Sequence, residues 1–240
     1  MADDRDDRFK ALFEGKPGTV LGAMRDKLVR VKEEWAKEGR VPHAGKDAAD
    51  AGNKPEARRL PPGQRWAKDW PILDLGTRPA VPTDQWRLTV AGAVENRIRW
   101  SWDDFMVQPQ TEFRTDYHCV TGWSRKDDRW TGVSTRHFLD VVKPKPEARF
   151  VMLHSHDGYT TNVPMAFFAA EDSMLARAWN GTPLAREHGG PVRAFIPKLY
   201  LWKSAKWLRH VVFLDRDQPG FWEARGYHDV GDPWKEERYR

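Results

Sequence analysis

The chain of 240 residues holds a single cysteine, Cys119. One thiol excludes an internal disulfide, a four-thiolate zinc site and an iron–sulfur cluster, each of which needs more sulfur. Long apolar runs are missing too. Stretches such as "LDVV" at 139–142 and "HVVFL" at 210–214 fall far short of the roughly 20 residues that a bilayer-crossing helix requires. No block of five or six like charges occurs, so nothing reads as a basic or acidic tail. Neither G-x-x-x-x-G-K-[ST] nor G-x-G-x-x-G is present, which leaves out the common phosphate-binding glycine loops. The opening "MADDRDDRFK" is acidic where a secretory signal would be basic and then apolar. With the lone thiol, this points to a reducing cytoplasm.

What the chain does have is tryptophan, thirteen of them, and a formal net charge of +5. Several tryptophans stand beside charge, as in "QRWAKDW", "IRWSWDD" and "DDRWTG". They can pack as large rigid units with a polar handle, or stack on a flat heterocycle. The basic balance suits an anionic ligand, a nucleic acid or an anionic surface.

Residues 18–38 place Val20, Leu21, Met24, Leu28, Val31 and Trp35 at helical spacing, which predicts an amphipathic helix. The Gly-, Pro- and Ala-rich stretch after it reads as an extended arm. This divides the chain into an N-terminal helix and arm, 1–62, and a domain, 63–240. From Arg65 onward, short apolar runs alternate with turns. "WRLTVAGAV", "TEFRTDYHCV", "ARFVMLHSHDGYTTNVP", "GGPVRAFIPKLY" and "KWLRHVVFLDRD" read as strands. Ser101 is a candidate cap for a short helix, and Ser134 or Thr135 for another in "STRHFLDVV". "MAFFAAEDSMLARAWN" reads as helix-like. Strands and short helices without regular alternation indicate an α+β fold.

Three clusters carry chemistry. Cys119 follows a strand and opens the Gly122 turn, with His118, Trp123 and Ser124 beside it. "EHGGPVRAFIPKLYLWKSAKWL" offers His188, Arg193, Lys203, Ser204 and Lys206, the inventory of a phosphate site, with two glycines that let backbone approach a ligand. "HSHDGY" offers His154, His156 and Asp157, which could hold zinc if His154 and His156 share a strand face.

The order and spacing of C-V-x-x-W-S at 119–124, "DGYTTNVP", "NGTPLAREHGGPVRAFIP", "WKSAKWL" and "GFWEARGYH" resemble the molybdopterin domain of the sulfite oxidase family. The first run also looks like the catalytic subunit of the bacterial molybdenum methionine sulfoxide reductase. The resemblance runs from about Arg65 to the C-terminus. It implies a sulfite-oxidase-type fold of mixed sheets with short helices around them. It also implies a molybdenum–molybdopterin cofactor, oxygen-atom transfer and a separate electron-transfer partner, with no nucleic acid and no membrane span. Carried over position by position, Cys119 is the molybdenum ligand, its soft thiolate joining the sulfur of the pterin. Ser155, His188 and Arg193 contact the cofactor, and Ser204 and Lys206 hold its terminal phosphate. Trp123 and Ser124 stand where sulfite oxidases place an arginine-bearing run. The expected substrate site is therefore flat and weakly cationic, suited to a neutral S-oxide or N-oxide more than to sulfite. Arg114, Arg125 and Lys203 are the cations that folding could bring in to restore its charge.

Two other readings use some of the same residues. A thiol hydrolase or transferase would pair Cys119 with His118 or His188. A basic module would stack its tryptophans on single-stranded nucleic acid.

Overall fold

Two sheets share one core, and the turn that carries Cys119 lies at the end of the first. The computed structural model describes residues 59–240 together with residues 26, 27, 29–31 and 34. The strands of the first sheet are β1 (Arg65–Trp66), β4 (Gln110–His118), β5 (Trp123–Ser134), β8 (Met174–Trp179), β9 (Thr182–Pro183) and β10 (Arg193–Phe195). β5 is its spine. It pairs along its length with β4, and its other edge is shared by β8 and, at Trp123 and Ser124, by the parallel β1. β10 continues the sheet beyond β8.

The second sheet runs β3-β2-β11-β6-β7, with β2 at Arg87–Gly92, β3 at Arg99–Ser101, β6 at Phe150–Ser155, β7 at Thr160–Pro164 and β11 at Leu208–Leu214. Alternation explains β2: Trp86, Leu88 and Val90 point inward and are buried. They join Val133 and Leu175 from the first sheet, and Val151, Leu153, Val211 and Phe213 from the second, in one apolar cluster.

Short helices close the ends. α1 (Trp102–Met106) starts at Ser101 with a reciprocal capping box to Asp104. α2 (Thr135–Val142) is capped by the Ser134 side chain, which accepts from His137 N–H. Of the segment read as helix-like, only α3 (Met165–Phe168) is helical, and Met174–Trp179 is strand β8. The physical reason is position. Leu175 of β8 packs into one apolar cluster and Met174 and Ala176 into another, so both its faces are covered and its apolar residues run on without the alternation that marks a half-exposed strand. Strand β5 hid for the opposite reason, because "WSRKDDRW" carries charge on both faces.

The described residues 26, 27, 29–31 and 34 are helical, as the spacing predicts. Val29, not among the residues expected to face inward, is buried against Leu75, Tyr200 and Trp222. Val31 is half-buried, and Val20, Leu21, Met24, Leu28 and Trp35 lie outside the described residues, as does most of the predicted arm. Arg59, within the stretch assigned to that arm, bonds to Asp116 and Asp127. Among the described residues, no helix is long and apolar enough to cross a membrane.

Candidate active site

Cys119 directly follows β4 and opens a tight reversal into β5. Its N–H donates to the Trp123 carbonyl at 2.8 Å, and Gly122 N–H donates to the Cys119 carbonyl at 3.0 Å. Gly122 has φ 86°, the left-handed conformation that glycine adopts without steric cost. The thiol, only 5% exposed, meets the Thr121 hydroxyl at 3.2 Å and borders a cavity of about 490 Å³. Trp123, Ser155, Arg193, Ser204 and Lys206 line the same cavity. Six of the eight residues singled out from the sequence therefore meet around one space.

The wall carries groups that want partners. The Trp123 indole N–H and the Ser155 hydroxyl are buried and have no hydrogen-bond partner among the described residues, a costly state for polar groups unless a ligand supplies acceptors. Arg193 is almost fully buried. Its guanidinium donates to the carbonyls of His188 at 2.9 Å and Ser204 at 2.8 Å, and lies over the rings of Trp70 and Trp130. No carboxylate pairs with it among the described residues. Burial lowers its pKa to about 10, well below the usual guanidinium range. A buried cation held only by carbonyls and rings suits an anion such as a phosphate. Lys206 adds a second charge, its ammonium donating to the carbonyls of Leu73 and Glu187. The Ser204 hydroxyl accepts from Ile196 N–H at 2.9 Å. A soft sulfur donor and the cations Arg193 and Lys206 in one lining fit a molybdenum–pterin group with its terminal phosphate.

The two remaining residues are placed differently. Ser124 is fully buried behind the cavity wall. Its hydroxyl donates to Gln64 Oε1 at 3.2 Å and meets His118 Nδ1 at 2.7 Å. The expectation that Ser124 stands at the substrate site beside Trp123 is not met, because adjacent strand residues point to opposite faces and Trp123 takes the cavity side. His188 stands one layer back, its ring stacked on Trp70 at 3.8 Å and 8°, while Trp70 itself lines the cavity. Burial, followed by the charges of Arg193 and Lys206, lowers the His188 pKa to about 4. The glycines beside it serve chain packing. A Cβ on Gly189 would lie 2.9 Å from Lys206 Cβ, and one on Gly190 would lie 2.1 Å from the Leu184 carbonyl oxygen. They let backbone approach backbone, not ligand.

Further residues join the site that the sequence alone does not single out. Tyr159, Trp202, Trp207, Trp222 and Tyr227 contribute aromatic wall. Trp202, Trp207, Trp222 and Tyr227 sit inside the "WKSAKWL" and "GFWEARGYH" motifs or beside them, which was the available signal. Arg65 and Arg238 also line the cavity, which corrects the expectation of a weakly cationic site. None of the three cations named from the sequence is the source. Arg114 is exposed beside Asp127, Arg125 binds Asp128 and the Lys68 carbonyl, and Lys203 is sealed against Glu223.

The alternatives lose their support in the same geometry. His118 turns its ring to Ser124 and His188 lies on Trp70, so neither is aimed as a base for the thiol. Most described tryptophans pack in the interior and are not exposed for stacking on a nucleic acid. The zinc expectation fails because β6 ends at Ser155, so His156 belongs to the turn with Asp157 and not to the strand face of His154. Among the described residues, no group of three or more metal-binding side chains forms.

A family model, the oxidoreductase molybdopterin binding domain, matches residues 75–222. The chain belongs to that family. It is an oxidoreductase whose cofactor is Mo-molybdopterin. It is 44% identical over 185 residues to the uncharacterized oxidoreductase YuiH of Bacillus subtilis (strain 168), covering 77% of this chain and 93% of YuiH. It is 23% identical over 172 residues to the protein-methionine-sulfoxide reductase catalytic subunit MsrP of Campylobacter jejuni, covering 62% of this chain and 56% of MsrP. The fold matches that of the sulfane dehydrogenase SoxCD from Paracoccus pantotrophus with a TM-score of 0.53 at 19% identity, over 72% of this chain and 56% of that one. The α+β architecture expected from the sequence is thus the observed one.

Proposed function

We propose that the chain reduces an S-oxide or N-oxide by oxygen-atom transfer, with electrons delivered by a separate partner protein. For a sulfoxide, the sulfur–oxygen bond breaks, two electrons and two protons are taken up, and the products are one thioether and one water. When bound, the Mo-molybdopterin supplies two-electron oxygen exchange. The chain's own residues do the rest. Cys119 would give the metal its protein thiolate, and Arg193, Ser204 and Lys206 would hold the phosphate. The unpaired donors of Trp123 and Ser155 would orient the pterin, and the aromatic wall would keep water from the reacting atoms.

The observation that carries this reading is the cavity itself, which brings the Cys119 thiol and the Arg193 guanidinium, unpaired with any carboxylate among the described residues, into one lining. The similarity to MsrP, named a methionine-sulfoxide reductase, favours the direction of reduction. A lone thiol kept as a metal ligand suits the cytoplasm. The test is one preparation assayed three ways: molybdenum by elemental analysis, pterin by fluorescence after release, and sulfoxide reduction with a reduced dye. Close to one molybdenum per chain with turnover supports the reading. Molybdenum-replete protein that oxidises sulfite faster than it reduces any S-oxide or N-oxide overturns the direction.

A further inference from the structure

We propose that Arg65 and Arg238 form an anion-recognition pair beside Cys119, so that the preferred substrate is an organic oxo compound bearing a carboxylate. This rests on the oxo-transfer reading above and narrows its substrate class.

Both arginines are built against the turn that carries the thiol. Arg65 pairs with Trp123 in the β1–β5 ladder, its N–H donating to the Gly122 carbonyl at 3.0 Å. Arg238 donates from its guanidinium to the Val120 carbonyl and lies over the Tyr200 ring at 5.2 Å. Both line the cavity with Cys119, and both are half-buried. Among the described residues, the lining carries four cations, Arg65, Arg193, Lys206 and Arg238, and two carboxylates, Asp74 and Asp157. Asp74 is bonded to Arg78 at 2.6 Å, and Asp157 accepts from Tyr159 N–H at 3.0 Å. With Arg193 and Lys206 assigned to the phosphate, Arg65 and Arg238 are the other two cations of the lining.

The surface around that charge is aromatic, from Tyr159, Trp222, Tyr227 and Tyr239. A small inorganic oxyanion would leave those rings without contacts, whereas a carbon framework fills them. A fixed guanidinium adds charge-assisted bonds to a carboxylate that it cannot make to a neutral group. Arg65 and Arg238 both lie outside residues 75–222, so the pair is supplied by flanking segments of this chain.

The test uses matched probes on molybdenum-quantified holoenzyme. 4-(Methylsulfinyl)benzoate and its carboxamide are compared as substrates. The corresponding inert sulfones are compared as ligands by calorimetry. We expect kcat/KM and sulfone affinity to favour the carboxylate by about 10- to 100-fold, the scale of one or two lost charge-assisted bonds. In Arg65→Gln and Arg238→Gln, rates per loaded site should show that preference falling toward one. Equal affinity for carboxylate and carboxamide sulfones in the unaltered enzyme overturns the pair, as does a preference that survives both substitutions. Arginine-dependent sulfone binding without turnover of either sulfoxide would uphold the pair and overturn the oxo-reduction reading instead.

Discussion

The Lys203 ammonium and the Glu223 carboxylate meet at 2.6 Å with neither side chain exposed. Lys203 also donates to Asn162 Oδ1 and to the Asp229 carbonyl, and Glu223 accepts from Trp202 Nε1 and Thr161 Oγ1. The pair ties β7 and the chain around Trp202 to the C-terminal stretch that brings Trp222 and Tyr227 to the cavity. Burial lowers the Lys203 pKa, opposed by the charge of Glu223.

Removing one partner leaves the other charge buried and uncompensated. Lys203→Met or Glu223→Gln should therefore lower unfolding free energy by about 3–5 kcal/mol. Lys203→Met combined with Glu223→Leu should recover part of that loss. Urea unfolding of the three variants checks it, and a double variant less stable than either single one would contradict the account.

Cys119→Ser should keep the fold and most of the bound pterin, because the proposed phosphate contacts are made by other residues, Arg193, Ser204 and Lys206. Oxygen-atom transfer should be lost, since an alkoxide is a poor substitute for a soft thiolate. Circular dichroism, pterin release and dye-linked turnover on one preparation decide this. Retained turnover removes Cys119 from the metal.

Arg193→Ala should lower cofactor content, through the loss of contacts worth on the order of 1.5–3 kcal/mol where a charged group is involved. Lys206→Ala should act in the same direction. The metal's spectrum per bound cofactor should stay unchanged in both. Full molybdenum and pterin content in both variants would mean the phosphate binds elsewhere.

Stability should fall as pH drops from about 6.5 towards 4. His156 has its pKa lowered from 6.5 to about 4, first by burial and then by the charge of Arg209. His118, by burial, and His188 are lowered to a similar value. In that window the unfolded chain takes up protons that the folded chain refuses, so the stabilisation is complete above 6.5 and drains away below it. His156→Gln should show a smaller loss between pH 7 and pH 5 than the unaltered chain. Urea midpoints at the two pH values provide the comparison, and identical slopes would exclude His156 as a contributor.

Where the sequence misleads, local pattern is overruled by tertiary position. β2 and the caps at Ser101 and Ser134 are readable because their signals are local: alternation, or a hydroxyl placed before a helix. β8 is not, because a strand covered on both faces loses its period. The site shows the same division. Cys119, Trp123, Ser155, Arg193, Ser204 and Lys206 sit in short motifs that survive without knowledge of the fold. Arg65 and Arg238 sit in no motif, and only the β1–β5 ladder and the return of the C-terminal stretch bring them to the thiol. Ser124 fails for a simpler reason, the strand alternation that turns it from the cavity beside Trp123.

The turn bearing Cys119 is held from two directions at once. Gln64 donates to the Cys119 carbonyl across 55 residues of sequence, and Arg238 to the Val120 carbonyl across 118. Contacts of such separation close late, because the loop entropy they cost is offset only after the intervening sheets have formed. On a ribosome the thiol emerges long before its second clamp. The turn therefore takes its final shape only after residue 238 has been made and has folded back onto Val120.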